Sequence, residues 1–209
     1  NLSKDLSVED ILIYSSNIGS VKIGQKVGQQ KLKSFLKKIG ILGQLNFDIE
    51  EIGKPLAFKW RECKLKTVSY GHGITTTPIQ LAKGYAIITN GGYDVKPTLI
   101  KKKIDNLKKK RILDKNVSSQ LNPILRKVVQ NGTATLSDVE GYDVGGKTGT
   151  AQIVENGKYT KKKINTFASI FPSSNPKYVL IVLLEDTKLS KDYVYKYRNK
   201  TGTYTGTPF

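Results

Sequence analysis

Cysteine, histidine, methionine and arginine are scarce in this chain, and each scarcity removes a class of function. Cys63 is the only cysteine, so there is neither a disulfide framework nor a cysteine metal cluster. His72 is the only histidine, so histidine-rich metal sites are excluded and a Ser-His-Asp triad would hang on one residue. Methionine is absent, including at the first position. No apolar run approaches the ~18 residues of a membrane-span candidate, and no signal peptide is visible. Of 35 basic residues only Arg61, Arg111, Arg126 and Arg198 are arginines, although the net charge is +18. Sequence-specific readers of nucleic acid rely on arginine forks and aromatic stacking platforms. The lysine runs at 101–103, 108–111 and 161–163 lack both, so no nucleic-acid partner is expected. The charge reads instead as surface solubility or attraction to an anionic polymer or membrane surface.

What is present suffices for one core: 209 residues, 38% of them hydrophobic. Ser7-Val8-Glu9-Asp10 reads as a capping-box helix start, and that helix delivers Ser15-Ser16-Asn17 at its C-terminal end. A second helix is expected over 18–27, stopping at Gly28. A third, over 29–39, carries Leu32, Phe35, Leu36 and Ile39 at the spacing of a buried stripe and ends at Gly40. From Gly43 to Tyr70 the periodicity is poor, so Pro55, Trp60 and Cys63 are read as loop; Cys63 is a small core or loop residue. His72, between Gly71 and Gly73, is a spacer in a glycine turn. Thr77-Pro78 opens a buried helix that Asn90-Gly91-Gly92 stops. A short strand pair over 93–112, turning at Asp105-Asn106, leads to a last helix capped by Ser118. Asn156-Gly157 signals a hairpin that folds the strand beginning near Lys147 against 165–171. Val179 to Leu184 are all apolar, which predicts a strand covered on both faces. Helices first and an antiparallel meander last define an α+β fold, with the sheet between helical layers.

The stretch Gly145-Gly146-Lys147-Thr148-Gly149-Thr150-Ala151-Gln152 concentrates the chemistry. Lys147 sets a cation beside two hydroxyl donors, which suits a carboxylate-bearing substrate. Gly149 clears a side chain where another backbone can approach. About 130 residues upstream, Ser15-Ser16-Asn17 offers a Ser-x-Asn element. Lys-Thr-Gly and Ser-x-Asn occur together with a Ser-x-x-Lys nucleophile in penicillin-interacting serine enzymes. Two literal Ser-x-x-Lys matches are decoys. At ~100° per residue, Ser34 falls about 150° from the centre of its helix's apolar stripe, on the solvent side. Ser174-Asn175-Pro176-Lys177 is a turn between strands.

Residues 15–28 (SSNIGSVKIGQKVG), 71–92 (GHGITTTPIQLAKGYAIITNGG), 131–134 (NGTA) and 144–152 (VGGKTGTAQ) resemble the transpeptidase domain of class B penicillin-binding proteins. The division-type D,D-transpeptidases are the nearest fit. The resemblance implies the penicillin-recognising fold, incomplete at both ends, with residues 1–209 the C-terminal part of one domain and the Ser-x-x-Lys serine upstream of Asn1. It implies that this serine attacks the D-Ala-D-Ala carbonyl of a peptidoglycan stem peptide. Ser15 would relay a proton to the leaving group, and Asn17 would orient the substrate amide and the catalytic lysine. Lys147 would hold Ser15 by hydrogen bond, while Thr148, Gly149 and Thr150 form the substrate-binding strand. The Thr148 and Thr150 hydroxyls would bind the terminal carboxylate, and the Thr150 N–H would supply half of an oxyanion hole. Ser16, Gly19, Gly71 and Gly73 are read as turn and packing residues, and Thr133 as backbone support. The implied partners are stem peptides, β-lactams and other cell-wall or divisome membrane proteins; no metal or cofactor is required. The implied location is the periplasmic face of a bacterial inner membrane, with an anchor upstream.

Two other functions fit the same elements. A β-lactamase or β-lactam sensor shares the fold, but the wide spacing of Ser15 from Lys147 and the lack of a deacylating acid in any of these motifs disfavour it. A catalytically silent basic binding module is the third.

Overall fold

The computed structural model describes residues 5–49, 53–101, 110–155, 158–187, 194–197 and 200–203. Six helices come first: α1 (Val8–Ile13), α2 (Asn17–Val27), α3 (Gln29–Lys38), α4 (Glu62–Ser69), α5 (Pro78–Thr89) and α6 (Lys115–Asn131). A short 3₁₀ turn (Thr135–Ser137) leads into β1 (Gly145–Glu155), β2 (Lys158–Phe171) and β3 (Tyr178–Glu185), followed by a separate pair, β4 (Val194–Tyr197) and β5 (Lys200–Thr203). The main sheet is antiparallel in the order β1-β2-β3, with Lys147 opposite Ala168 and Thr148 opposite Phe167. This is the expected α+β architecture. Among the described residues no helix is long and apolar enough to cross a membrane.

Local chemistry sets the helix starts. Ser7 and Asp10 form a reciprocal capping box on α1, and Thr77 and Gln80 form another on α5, with Pro78 at the first helical position. Gln80 is fully buried and also donates to the Gly40 and Gly43 carbonyls, tying the loop after α3 onto α5. α2 starts one residue earlier than the sequence suggests, because the Ser16 hydroxyl accepts from the Gly19 N–H and caps it.

Two cores hold the molecule. One gathers Ile39, Ile41 and Ile87 with Leu36, Leu81, Val95 and Ile112 around α5. The other packs Ile13, Val128, Val129, Ala134 and Val144, flanked by Ile124 and Phe167. The second core joins the end of α1, the C-terminal half of α6 and the start of β1. Each such side chain stabilises by ~1.5–3 kcal/mol on full burial. Both segments that carry the candidate site are therefore anchored to the same apolar cluster.

Several expectations need correction. Residues 62–69 are helix, not loop, and Cys63 is exposed on the first turn of α4. Only Leu65 and Val68 of α4 are buried, too few to give a legible period. The α3 stripe is only partly covered, with Phe35 exposed. α6 is capped by Asp114, whose carboxylate accepts from the Asn116 N–H. Ser118 lies inside that helix, buried, accepting from the Gly91 N–H and donating to the Ile88 carbonyl. It thereby satisfies groups left open at the end of α5. Of the strand pair expected over 93–112, the described residues show one bridge, between Tyr93 and Arg111. The turns at Asp105-Asn106 and Asn156-Gly157 lie outside the described residues. β3 is an outer strand of the main sheet, and α5 packs against it. Val179 and Ile181 are half-buried, but Leu180, Val182, Leu183 and Leu184 are 39–48% exposed, so the strand is not covered on both faces. An apolar run reports what a strand can bury, not what is there to bury it.

Candidate functional site

The site begins with the way α1 stops. The Ser16 N–H donates to the Ile11 carbonyl and the Ser15 N–H to the Leu12 carbonyl, with Ser15 at φ 55°. That is a Schellman termination, whose left-handed position glycine normally fills. A serine there costs about 1–2 kcal/mol of backbone strain. The left-handed turn leaves the Ser15 hydroxyl exposed beyond the end of α1 and lets Ser16 open α2 in the next residue. Gly19 permits the close packing of the two helices: a Cβ on it would lie 2.5 Å from Ile11.

β1 enters from the other side. Asp143, at φ 48°, accepts from the Ser173 hydroxyl at 2.8 Å and the Ser174 N–H at 2.9 Å. Burial raises the Asp143 carboxyl, but the Ser174 N–H, the Ser173 and Ser174 hydroxyls and Arg126 outweigh it and hold the group below its ordinary value. Arg126 pairs with Asp138 and Asp143 and donates to the Val144 carbonyl at 2.9 Å. Gly145 and Gly146 follow with no room for side chains: a Cβ at Gly146 would sit 2.7 Å from the Phe167 ring. This clamp fixes where Lys147 leaves the strand. None of its members stands out in sequence, because an Arg–Asp pair across 17 residues has no spacing rule.

The two segments meet through Lys147, whose Nζ donates to the Ser15 Oγ at 2.8 Å and to the Thr148 carbonyl at 3.0 Å. The residues are 132 apart in sequence, and the direct contact expected between them is present. Lys147 is half-buried, not surface-facing, and burial pushes its pKa down from 10.5 to about 8. Among the described residues no carboxylate lies within ion-pair reach of it. Two of its three N–H donors are engaged, which leaves one for a ligand.

Other site residues are arranged around this contact. Thr148 and Thr150 are two apart on β1 and so share a face of the strand. The Thr148 hydroxyl meets the Thr133 hydroxyl at 2.7 Å, and the Thr150 hydroxyl donates to the Asn165 side-chain carbonyl at 3.1 Å. Gly149 is exposed, with nothing within 4 Å of a Cβ built there. Asn17 is exposed on the first turn of α2, and its amide bonds to neither Ser15 nor Lys147. Ser34 and Ser174 are both exposed, on α3 and the β2–β3 turn, and neither bonds to Lys147; the Ser174 N–H donates to Asp143 instead. His72 stacks loosely between Tyr70 and Tyr159, with ring centroids 6.0 and 5.5 Å away, so it does more than space a turn. Among the described residues, a concavity of about 590 Å³ beside Arg126 and another of about 200 Å³ beside Phe167 are not lined by Ser15 or Lys147.

A sheet whose edge strand sends the lysine of Lys-Thr-Gly onto the serine of Ser-x-Asn is the penicillin-recognising arrangement. Similarity to known proteins agrees. The family model for the penicillin binding protein transpeptidase domain matches residues 1–203, and the chain belongs to that family. It is 35% identical over 196 residues to the peptidoglycan D,D-transpeptidase FtsI of Buchnera aphidicola, covering 90% of this chain and 34% of the relative. It is 29% identical over 196 residues to the probable FtsI of Caulobacter vibrioides, covering 88% and 33%. The chain thus spans about a third of the length of these relatives. The transpeptidase domain of penicillin-binding protein 3 from Burkholderia pseudomallei superposes with a TM-score of 0.81 at 29% identity, over 87% of this chain and 56% of that one. A Mycobacterium penicillin-binding protein 3 complexed with ampicillin superposes with a TM-score of 0.80 at 26% identity, over 97% and 48%.

Two predictions follow from this geometry. Replacing Ser15 by alanine or glycine removes the same hydroxyl, but only alanine keeps the backbone strain. Urea denaturation should therefore find Ser15→Gly more stable than Ser15→Ala by about 1 kcal/mol; equal stability, or alanine the more stable, would show a relaxed backbone. The second concerns Lys147. A lysine whose folded pKa is depressed costs stability in full below about pH 8, and the cost fades as pH rises toward 10.5. A ¹³Cε titration of the lysines should show one resonance, lost in Lys147→Arg, titrating near 8 while exposed lysines titrate near 10.4. No lysine titrating below about 9.5 would contradict a desolvated Lys147.

Proposed function

We propose that residues 1–209 form the C-terminal part of the catalytic domain of a serine-type peptidoglycan D,D-transpeptidase. The observation that carries this reading is the Lys147–Ser15 hydrogen bond between two otherwise remote motifs. In this reading the acylated serine, in Ser-x-x-Lys, comes from sequence outside residues 1–209, since Lys147 bonds to neither Ser34 nor Ser174.

In this reading the outside serine loses its proton to its motif's lysine, and its Oγ bonds to the carbonyl carbon of the penultimate D-Ala. The carbonyl oxygen becomes an oxyanion. β1 is an edge strand, so some of its N–H groups point away from β2, and the Thr150 N–H is the candidate donor to that oxygen. The C–N bond then breaks, and the departing amine of the terminal D-Ala takes the Ser15 proton. Lys147, which already donates to Ser15 and has a pKa near 8, returns a proton to it. Asn17 orients the substrate amide from the start of α2. The terminal carboxylate rests between Lys147 and the Thr148 hydroxyl, joined by the Thr150 hydroxyl once that group turns from Asn165; the free ammonium donor favours an anion there. The amine of a second stem attacks the ester carbonyl carbon and gives a proton through Ser15 back to Lys147. The departing serine oxygen recovers its proton from its motif's lysine, and the cross-link is formed. β-Lactams, which present a carboxylate beside a reactive carbonyl, enter as substrate mimics. Gly149, open on the strand, lets their backbone-like amide approach. We place this activity in division-type wall synthesis at the periplasmic face of the bacterial inner membrane, alongside other membrane proteins of the division machinery.

The test is covalent labelling. The complete gene product should take one fluorescent penicillin, located by mass spectrometry on a serine outside residues 1–209, and residues 1–209 alone should take none. An adduct on Ser15, Ser34 or Ser174 would overturn this assignment.

A further inference from the structure

Thr133 sits where the two halves of the site join. Its N–H donates to the Ile13 carbonyl, two residues before Ser15, at 3.3 Å. Its hydroxyl meets the Thr148 hydroxyl on β1 at 2.7 Å. Its neighbours hold it there. Gly132 lies so close to α1 that a Cβ would come within 2.5 Å of the Ile13 carbonyl oxygen and 2.7 Å of the Val128 oxygen. Ala134 is fully buried in the core that also contains Ile13 and Val144. The turn from α6 therefore cannot drift away from either segment.

Proton bookkeeping gives this contact a direction. Each hydroxyl has one proton to donate and two lone pairs to accept with. Thr150 donates its proton to the Asn165 side chain, so in this arrangement it has none for an anion. Among the described residues the Thr133 hydroxyl has one partner, Thr148. When Thr133 donates to Thr148, the Thr148 proton is freed for another acceptor. The opposite polarity would spend the Thr148 proton on Thr133 and present only lone pairs, which an anion rejects. An incoming carboxylate thus selects the first polarity, and hydrogen bonds in such a chain reinforce one another.

We propose that Thr133 is a positioning residue for anion recognition: it orients the Thr148 hydroxyl as a donor to the substrate carboxylate while its backbone holds Ser15's segment beside β1. This rests on the reading that the Lys147–Thr148 region binds a carboxylate. It adds a residue that touches no substrate and acts through Thr148.

The experiment uses the complete gene product and two probes, benzylpenicillin and its carboxamide, with the second-order acylation rate measured for wild type, Thr133→Val and Thr133→Ser. Valine keeps the branched shape and deletes the hydroxyl. Thr133→Val should acylate with benzylpenicillin about tenfold more slowly, as losing a hydrogen bond that supports a charged group implies. The rate with the carboxamide should change less than about twofold on the same accounting. Thr133→Ser should restore the wild-type rate with benzylpenicillin. An unchanged rate in Thr133→Val would overturn the proposal. So would an equal loss on both probes, or failure of serine to restore the rate at an unchanged melting temperature, since these mark a purely structural residue. Failure of the wild type to prefer benzylpenicillin over its carboxamide is a separate result, which would remove the carboxylate reading itself.

Discussion

The hydrogen bond from Lys147 to Ser15 is the contact on which the rest of the structure converges. It joins the end of the first helix to the main sheet across 132 residues, and neither residue could hold the other alone. Side-chain hydrogen bonds at a partly solvated position are worth only about 1 kcal/mol net. The contact persists because packing positions both ends. Ile13 and Val144 belong to one buried cluster with Val128, Val129 and Ala134, so the residues just ahead of Ser15 and of Lys147 share a floor. α6 is that floor, and its pairing with α1 is reinforced by the Lys127–Glu9 ion pair.

Strain and desolvation are both concentrated at this contact. Ser15 occupies a left-handed helix terminus that glycine would fill without cost, and Lys147 is partly removed from water with no carboxylate partner among the described residues. A sequence shaped only for stability would relieve either one, with glycine at the first position and an aliphatic or acid-paired residue at the second. Local inconsistencies of this sort gather where function overrides folding. A desolvated ammonium with a spare donor attracts an anion, and a hydroxyl held on that ammonium can pass a proton onward.

Sequence was most informative where one residue type serves one local purpose. Ser7 with Asp10, and Thr77-Pro78 with Gln80, mark helix starts because capping chemistry is local. The Lys147 strand was legible from its glycine-rich entry and its antiparallel partner from the Asn156-Gly157 hairpin signal, and Lys147 and Ser15 from their motifs. Features that depend on distant partners were not. α4 has too few buried positions to show a period, and Ser118 resembles a cap until its bonds to Gly91 and Ile88 are seen. β3 looks doubly covered because hydropathy records no neighbours. The Asp143–Arg126 clamp and the Thr133–Thr148 contact are products of tertiary packing, invisible to any spacing rule.

If Ser15 and Lys147 act as one unit, their effects on acylation cannot be independent. A double-mutant cycle on the complete gene product, with Ser15→Ala, Lys147→Ala and the double variant, measures this directly as penicillin acylation rates. The double variant should be little slower than the slower single variant, a coupling of about 1–3 kcal/mol. Rates whose losses simply add, within about 0.5 kcal/mol, would show that the two residues work apart and would contradict the site described for this fold.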